Sequence, residues 1–234
     1  MDSDAFTVLV VCTGNLNRSA LGAALLRKWA EWYLPPTLAR HVRVMSAGLR
    51  APIGSPMQTR TRVIAGAMGA EAPDHRATQI SEDAIRSADL VLVAAREQVD
   101  KVLGLAPAAL RSTFTIREAG RISGGMAATP APASVEELRA RVVALGGHRE
   151  PTAAGSGIDD IVDPQGKDDD AYVLMARQEV PALAQLAAVL FGMPPREVAA
   201  YEAAVQAAAY DFDGNGDGAA ASADPERPRG RREA

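Results

Sequence analysis

The residues with the clearest chemical potential lie in one short segment, Cys12-Thr13-Gly14-Asn15-Leu16-Asn17-Arg18-Ser19. Cys12 is the single cysteine among 234 residues, so the chain can form no intramolecular disulfide and no multi-thiolate zinc or iron–sulfur site. Arg18 follows six residues later, and its planar guanidinium suits two phosphate oxygens. This spacing predicts a thiol nucleophile beside an anion clamp. The alternative is a buried structural cysteine with a surface arginine.

The segment between Cys12 and Ser19 joins a predicted strand to a predicted helix. Such a loop can point successive backbone N–H groups inward, and the helix N terminus adds the positive end of its dipole. These donors bind phosphate and stabilise a thiolate, the nucleophilic form of cysteine. We expect Gly14 to adopt a backbone angle that other residues resist. We expect Ser19 to cap the helix and to donate a hydrogen bond to the sulfur.

The elements that must position this loop alternate between strands and helices. Continuous apolar and β-branched runs predict buried strands at 6–11 and 89–94, and two further strands are predicted at 41–47 and 113–116. Helical spacing of apolar residues predicts helices at 19–32, 58–68, 97–103, 170–191 and 195–209, with Ser81 capping another and Pro181 kinking the fourth. The alternation predicts a flavodoxin-like α/β fold, a four-stranded parallel sheet with helices on both faces. Ligands of such sheets bind at the carboxyl ends of the strands, where Cys12 lies.

Two segments depart from this alternation. Residues 120–157 are rich in glycine and proline around one predicted helix at 134–145, which indicates an insertion or a mobile flap. Residues 212–234 are small and polar, then basic, so we predict one folded domain at 1–211 and a disordered tail. The stretch 211–217 resembles the start of a calcium loop. Its twelfth position is Ser222 instead of a bidentate glutamate, which favours a solvated linker.

Composition argues against several classes of function. The net charge is −4 and no long basic stripe is present, so nucleic-acid binding has little support. The acidic residues at 1–4 are unlike a secretory signal, and no uncharged run approaches the roughly 20 residues of a membrane helix. We therefore expect a cytoplasmic protein that binds neither membrane nor nucleic acid.

The loop and four later segments together resemble the low-molecular-weight protein tyrosine phosphatases. In that family the phosphate-binding loop follows the first strand, as residues 11–19 do here. The later segments match in order: Ser46-Ala47-Gly48, Asp74-His75-Arg76-Ala77, Asp89-Leu90-Val91-Leu92-Val93 and Asp163-Pro164. The resemblance covers about residues 6–191 except 120–157. It implies the phosphotyrosine protein phosphatase I fold and activity without a cofactor or metal.

The resemblance also implies roles for individual residues. Cys12 would attack phosphorus and form a phosphocysteine intermediate, and Asp163 would act as general acid and then as general base. The implied phosphate-binding residues are Thr13, Gly14, Asn15, Leu16, Asn17, Arg18 and Ser19. The implied supporting network is Asn15, Ser19, Ser46 and His75. The substrate would be a phosphotyrosyl protein or a small aryl phosphate, with a cognate tyrosine kinase as the opposing enzyme.

Several of these assignments have competitors. Asp159, Asp160 and the run Asp168-Asp169-Asp170 offer other candidates for the acid, and only geometry can decide among them. Ser46 and His75 could be an ordinary strand residue and an ordinary turn residue. Two other functions also compete. Arsenate reductase shares the fold and loop but needs further cysteines, and a non-catalytic relative would bind phosphate without turnover.

The sequence departs from the family pattern at two places. Family members commonly carry a second cysteine inside the loop, where Asn17 stands here, so Cys12 has no internal resolving thiol. Aromatic residues that flank the substrate ring usually follow the Asp-Pro pair. Here Gln165 follows Pro164, and Tyr172 is the aromatic that could replace them.

Overall fold

A parallel sheet forms the centre of the molecule. The computed structural model describes residues 4–149 and 157–213. Its four parallel strands have the order β2-β1-β3-β4. They are β1 (Phe6–Cys12), β2 (Val42–Gly48), β3 (Leu90–Val93) and β4 (Thr113–Thr115). The predicted α/β fold with a four-stranded parallel sheet is confirmed.

Strand β1 is buried along its whole length, as its continuous apolar sequence predicts. Val8 and Val10 contact the larger apolar cluster, whereas Leu9 and Val11 contact the smaller cluster on the other face. Alternate side chains therefore enter two separate cores, one on each face of the sheet. This burial on both faces places Cys12 at the carboxyl end of a central strand.

Helices pack on both faces of the sheet. They are α1 (Arg18–Tyr33), α2 (Pro36–Ala39), α3 (Thr59–Ala67), α4 (Glu82–Arg86), α5 (Arg96–Leu105), α6 (Ile116–Gly124), α7 (Val135–Gly147), α8 (Asp169–Leu190) and α9 (Pro195–Ala207). A 3₁₀ turn (Pro107–Arg111) precedes β4. The predicted cap of α4 is confirmed, because the Ser81 hydroxyl accepts a hydrogen bond of 3.1 Å from the Ala84 backbone N–H.

Helix α8 is the main helix of the larger core. It is long enough to cross a membrane and reaches a mean hydropathy of 1.2. However, Leu183, Leu186 and Leu190 are fully buried inside the domain, as expected of a core helix. The helix runs unbroken through Pro181, which lacks the N–H that would otherwise join the helical ladder.

The segment from 120 to 149 differs from the sequence prediction of loops around one helix. Thr115 and Glu118 form a capping box that begins α6, with bonds of 3.0 and 3.2 Å between each side chain and the other's backbone N–H. Helix α7 then buries Leu138 and Leu145 in the larger cluster. This helix is part of the core and does not project as a flap. Residues 150–156 lie outside the described residues.

At the C-terminal end of the domain, side-chain packing continues to residue 212, one residue beyond the predicted domain boundary at 211. The ring of Phe212 lies 6.3 Å from that of Tyr172 and 5.6 Å from that of Tyr210, between centroids. Residue 212 therefore still contacts the domain. The rest of the predicted tail, 214–234, and most of the calcium-loop-like stretch lie outside the described residues.

Candidate active site

The Cys12 sulfur lies at the base of the loop that joins β1 to α1, and the residue is 2% exposed. It accepts a hydrogen bond of 3.2 Å from the Asn15 backbone N–H. The Ser19 hydroxyl oxygen lies 3.0 Å from the sulfur. This oxygen accepts a bond of 2.9 Å from the Asn15 side-chain amide. Its one proton can be donated to the sulfur or to the Ala47 carbonyl oxygen, and the sulfur is the nearer acceptor, at 3.0 Å against 3.4 Å. The Asn15 N–H and the Ser19 hydroxyl thus converge on the sulfur.

Asn15 holds the shape of this loop. It has a φ of +55°, a left-handed conformation that asparagine tolerates better than most residues. The expectation that Gly14 supplies the unusual backbone angle is therefore wrong, because Gly14 does not have a positive φ. The Asn15 side-chain oxygen accepts a bond of 2.8 Å from the Thr78 backbone N–H. Asn15 thus ties the loop to the segment before α4.

His75 supports the same residue from outside the loop. Its Nε2–H donates a hydrogen bond of 2.8 Å to the Asn15 carbonyl oxygen. Burial lowers the pKa of His75, the bond to Asn15 opposes that shift, and the charges of Arg27 and Arg76 lower the pKa further. The ring is therefore neutral at neutral pH, with its proton placed on Nε2 toward the loop. The structure thus brings His75 and Asn15 together.

Two serine predictions meet different outcomes. Ser19 contacts the sulfur as expected, but it does not cap α1, whose N-cap is Asn17 without a side-chain capping bond. Ser46 lies half-buried opposite Val10, two residues before the end of β2. Across the described ranges, no hydrogen bond joins the Ser46 side chain to the loop. The contact from β2 comes instead from the Ala47 carbonyl oxygen, 3.4 Å from the Ser19 hydroxyl.

Gly48 allows β2 to approach the loop closely. A Cβ atom at this position would lie 2.8 Å from the Thr13 carbonyl oxygen and 3.0 Å from the Asn15 backbone nitrogen. Real Cβ atoms essentially never approach other atoms more closely than 3.0 Å, so any other residue would displace the loop. Gly48 is therefore required by the geometry of the site, although it carries no functional group.

A cavity of about 330 Å³ opens above the sulfur. Its lining residues come from the loop, from the end of β2 and from the segment before α8: Cys12, Thr13, Gly14, Leu16, Asn17, Arg18, Arg50, Pro52, Asp163 and Gln165. The Arg18 guanidinium is almost fully buried and lies 2.5 Å from the half-exposed Asp163 carboxylate. The nucleophile, clamp and acid predicted from the sequence thus line one cavity.

Four of the five competing carboxylates are engaged elsewhere. Asp159 lies 3.4 Å from Arg121, Asp160 accepts a bond of 2.7 Å from the Arg96 backbone, and Asp168 caps α8 through the Ala171 backbone. Asp169 pairs with Arg60 of α3. Neither these four nor Asp170 is among the residues that line the described cavity. Asp163 is therefore the carboxylate placed to act on a ligand above Cys12.

Several site residues escaped the sequence analysis. Arg50 and Pro52 line the cavity just beyond the carboxyl end of β2. Gln98 of α5 accepts a bond of 2.9 Å from the Ala94 backbone and donates one of 3.3 Å to the Thr13 hydroxyl. These residues follow the ends of β2 and β3, so the rule that ligands bind at the carboxyl edge could have found them.

A buried carboxyl group lies behind the loop. Glu179 of α8 is fully buried, and a Cβ atom on Gly22 of α1 would lie 2.7 Å from its Oε1. Burial raises the pKa of Glu179 well above its usual range, against the charge of Arg18 and the Gly22 backbone N–H. The side chain is therefore protonated over a wide range of pH. Tyr172 is also buried and does not line the cavity, so it does not replace the missing aromatics.

Comparisons with known proteins agree with this geometry. The family model for low molecular weight phosphotyrosine protein phosphatase matches residues 7–118, which include the loop but not Asp163. A probable low molecular weight protein-tyrosine-phosphatase, AmsI of Erwinia amylovora, is 33% identical over 46% of this chain and 69% of its own length. A protein-arginine-phosphatase of Geobacillus stearothermophilus is 33% identical over 58% of this chain and 85% of its own length.

Solved structures show the same fold. The YwlE arginine phosphatase from Geobacillus stearothermophilus superposes with a TM-score of 0.53 at 27% identity, covering 78% of this chain and 90% of that one. The low molecular weight protein tyrosine phosphatase from T. tengcongensis gives a TM-score of 0.54 at 23% identity, covering 78% and 97%. From these similarities and the loop at the end of β1, the chain belongs to the low molecular weight phosphotyrosine protein phosphatase family.

Proposed function

We propose that the protein is a cysteine-dependent phosphomonoesterase that acts through a phosphocysteine intermediate on Cys12. The observation that carries this proposal is the shared cavity. The Cys12 sulfur, with its two donors, lies at the base, and Arg18 and Asp163 face the same space. A bound phosphate group requires the nucleophilic sulfur and the Arg18 guanidinium. The leaving oxygen requires a proton donor, which is Asp163.

Binding begins with a change of partner for Arg18. In the free protein its guanidinium pairs with Asp163 at 2.5 Å. A phosphate group carries more negative charge and offers two oxygens to the planar fork, so it displaces the carboxylate. The released Asp163 carboxylate takes up a proton from solvent and then faces the leaving group as a carboxylic acid. The backbone N–H groups of the loop bind the remaining oxygens.

Two chemical steps follow. The Cys12 thiolate attacks phosphorus, the S–P bond forms as the P–O bond breaks, and Asp163 donates its proton to the leaving oxygen. In the second step the Asp163 carboxylate takes a proton from water, and the water oxygen attacks phosphorus. The S–P bond breaks, phosphate is released, and the Ser19 hydroxyl stabilises the returning thiolate.

We propose phosphotyrosyl proteins or small aryl phosphates as the substrates. Leu16 and Pro52 provide apolar surface beside the cavity for an aromatic ring. Arg50 also lines the cavity and adds a second cation near Arg18. Phosphoarginine would bring a cationic guanidine group toward these arginines, and like charges repel. The cavity therefore favours a neutral aromatic leaving group.

Arginine phosphatase is the second candidate. It is supported by the protein-arginine-phosphatase of Geobacillus stearothermophilus, which aligns over 135 residues, more than the 108 residues of AmsI. The two activities differ in the bond that breaks, P–O for phosphotyrosine and P–N for phosphoarginine. Both would use Cys12 and Arg18 in the same way, so the substrate must be determined by direct comparison.

The test is hydrolysis of para-nitrophenyl phosphate, a phosphotyrosyl peptide and a phosphoarginyl peptide of matched sequence, with chelator present. We expect chelator-resistant turnover that Cys12→Ser abolishes, and a higher kcat/KM for the phosphotyrosyl peptide. Arg50→Ala should reduce this preference if charge repulsion causes it. Higher kcat/KM for the phosphoarginyl peptide would favour the second candidate. Vanadate binding without any turnover would make the protein a non-catalytic relative.

The role of Asp163 is tested separately with two leaving groups. Phenyl phosphate has a poor leaving group that needs a proton, whereas para-nitrophenyl phosphate has an activated one. We expect Asp163→Ala to lower kcat much more for phenyl phosphate than for para-nitrophenyl phosphate. Equal losses for both substrates would move the acid to another residue. Arg18→Lys should strongly reduce turnover of both substrates, because the lysine ammonium cannot form the bidentate hydrogen bonds of the guanidinium.

A further inference from the structure

Two residues that depart from the family pattern contact each other across 148 positions of sequence. The Asn17 side-chain amide donates a hydrogen bond of 3.1 Å to the Gln165 side-chain oxygen. Asn17 itself is almost fully buried, and its side-chain oxygen accepts a bond of 2.7 Å from the Thr61 hydroxyl of α3. Thr61 is fully buried. The Asn17 amide is therefore held by two partners and links the phosphate loop to the segment that carries Asp163.

Gln165 continues this link to the proposed acid. Its backbone N–H donates a hydrogen bond of 3.2 Å to Asp163 Oδ1. The other oxygen of that carboxylate, Oδ2, pairs with Arg18. Before Asp163, the segment is anchored by the Ile161 backbone N–H on the Ala94 carbonyl oxygen, at 2.9 Å. After Asp163, the Asn17 bond to Gln165 ties the segment to the loop.

The importance of this link changes when phosphate binds. Arg18 then turns to the phosphate oxygens and no longer holds Asp163 Oδ2. Asp163 Oδ1 stays bonded to the Gln165 backbone, whose position depends on the Asn17 contact. The carboxyl group is thus oriented through one oxygen while the other is released toward the leaving group.

We propose that Asn17 and Gln165 form a positioning pair that holds the Asp163 carboxyl group over the phosphate loop during turnover. The inference rests on the proposed function and extends it to the side chains of two residues that line the same cavity and bond to each other. A purely structural tether is the competing explanation. The two explanations predict different kinetics. Loss of a positioning pair slows reactions with poor leaving groups most, whereas loss of a structural tether slows both kinds of reaction equally.

The test compares Asn17→Ala, Gln165→Ala and the double variant on phenyl phosphate and para-nitrophenyl phosphate. We expect each single variant to lower kcat for phenyl phosphate by about tenfold to a hundredfold, since general acid catalysis contributes on the order of 10²–10⁴. The loss for para-nitrophenyl phosphate should be several times smaller. The double variant should lose no more than the worse single variant, because both changes break one link.

Gln185→Ala is the matched control. It removes another side-chain amide bond, of 2.8 Å to Glu202 between α8 and α9, and neither residue lines the cavity. We expect it to leave the ratio of the two kcat values unchanged. Gln165 is exposed, so Gln165→Ala should fold even if Asn17→Ala does not. Thermal unfolding of each variant checks this directly.

Two outcomes would overturn the inference. One is an equal loss for both substrates in Gln165→Ala, and the other is losses that multiply in the double variant. If the loss of kcat in Asp163→Ala is larger for phenyl phosphate than for para-nitrophenyl phosphate, while the loss in Gln165→Ala is equal for both, the positioning role fails and the proposed function stands. If the wild type hydrolyses neither substrate, both proposals fail together.

Discussion

Replacing Asn15 should destabilise the protein far more than its small side chain suggests. The residue is fully buried, and its side chain donates to Ser19 at 2.9 Å and accepts from the Thr78 backbone at 2.8 Å. Its φ of +55° also lies in a region that alanine resists. Asn15→Ala therefore removes one buried and one partly buried hydrogen bond and strains the backbone, whereas Asn15→Gly removes the same bonds without the strain.

The magnitude follows from these contacts. Each of the two lost hydrogen bonds contributes about 1 kcal/mol, and because Thr78 is exposed its freed N–H can bond to water. Alanine in the left-handed region costs roughly 1–2 kcal/mol more than a residue that tolerates it. Asn15→Ala should therefore lower the free energy of unfolding by roughly 3–4 kcal/mol. Asn15→Gly should be at least as stable as Asn15→Ala, although its extra unfolded-state entropy offsets about 0.5–1 kcal/mol of the difference.

Urea unfolding of the wild type and both variants measures these differences. Gln79→Ala is a suitable control, because this exposed amide also makes two hydrogen bonds of 3.0 Å to backbone groups, those of Leu49 and Ala51. We expect it to cost less than about 1 kcal/mol. The reasoning would be refuted if Asn15→Ala cost no more than this control, or if alanine were clearly more stable than glycine at this position.

Three further predictions concern groups around the loop. The lowered pKa of His75 means that below pH 6.5 the unfolded chain binds more protons than the folded protein, so the free energy of unfolding should fall as pH decreases. His75→Gln should weaken this dependence on pH when unfolding is measured at several pH values. The raised pKa of Glu179 has the opposite sign, so Glu179→Gln should stabilise the protein increasingly above pH 4.5, by up to about 1.4 kcal/mol per pH unit until the native pKa is reached. Either prediction would be contradicted if the difference in free energy of unfolding between variant and wild type did not change with pH. Gly48→Ala should displace Thr13 and Asn15 and lower kcat/KM at least tenfold, on the order expected for a misplacement near 1 Å; unchanged kinetics would show that the loop adapts.

Much of the fold was predictable because its signals are local. The unbroken apolar run of β1 predicts burial on both faces, and both faces are buried. Ser81 predicts a helix cap and makes the capping bond. Helix α6 also had a local signal, since Thr115 and Glu118 stand at the spacing of a capping box. The adjacent Gly124 and Gly125 predict a loop instead, but they stand only at the end of α6.

The general location of the site was predictable for a related reason. Cys12 and Arg18 lie on one strand-to-helix loop, so the local chain direction alone brings them together. Asp163 needed the tertiary structure. The sequence offers several aspartates between 159 and 170, and they differ in which partners the folded chain supplies. Asp160 meets the Arg96 backbone and Asp163 meets the cavity.

The sequence by itself therefore determined the four strands, most of the helices, the strand-to-helix loop that carries Cys12 and Arg18, and the family to which the chain belongs. The tertiary structure decided which residue takes the left-handed backbone, Asn15 in place of Gly14, and that Ser46 stays outside the network. It also decided that Asn17 meets Gln165 and that Glu179 is buried behind α1. The physical reason is the separation along the chain of the residues that interact. Hydrophobic periodicity, caps and turns depend on neighbours a few residues away, whereas these contacts depend on how the packed helices and strands place distant side chains together.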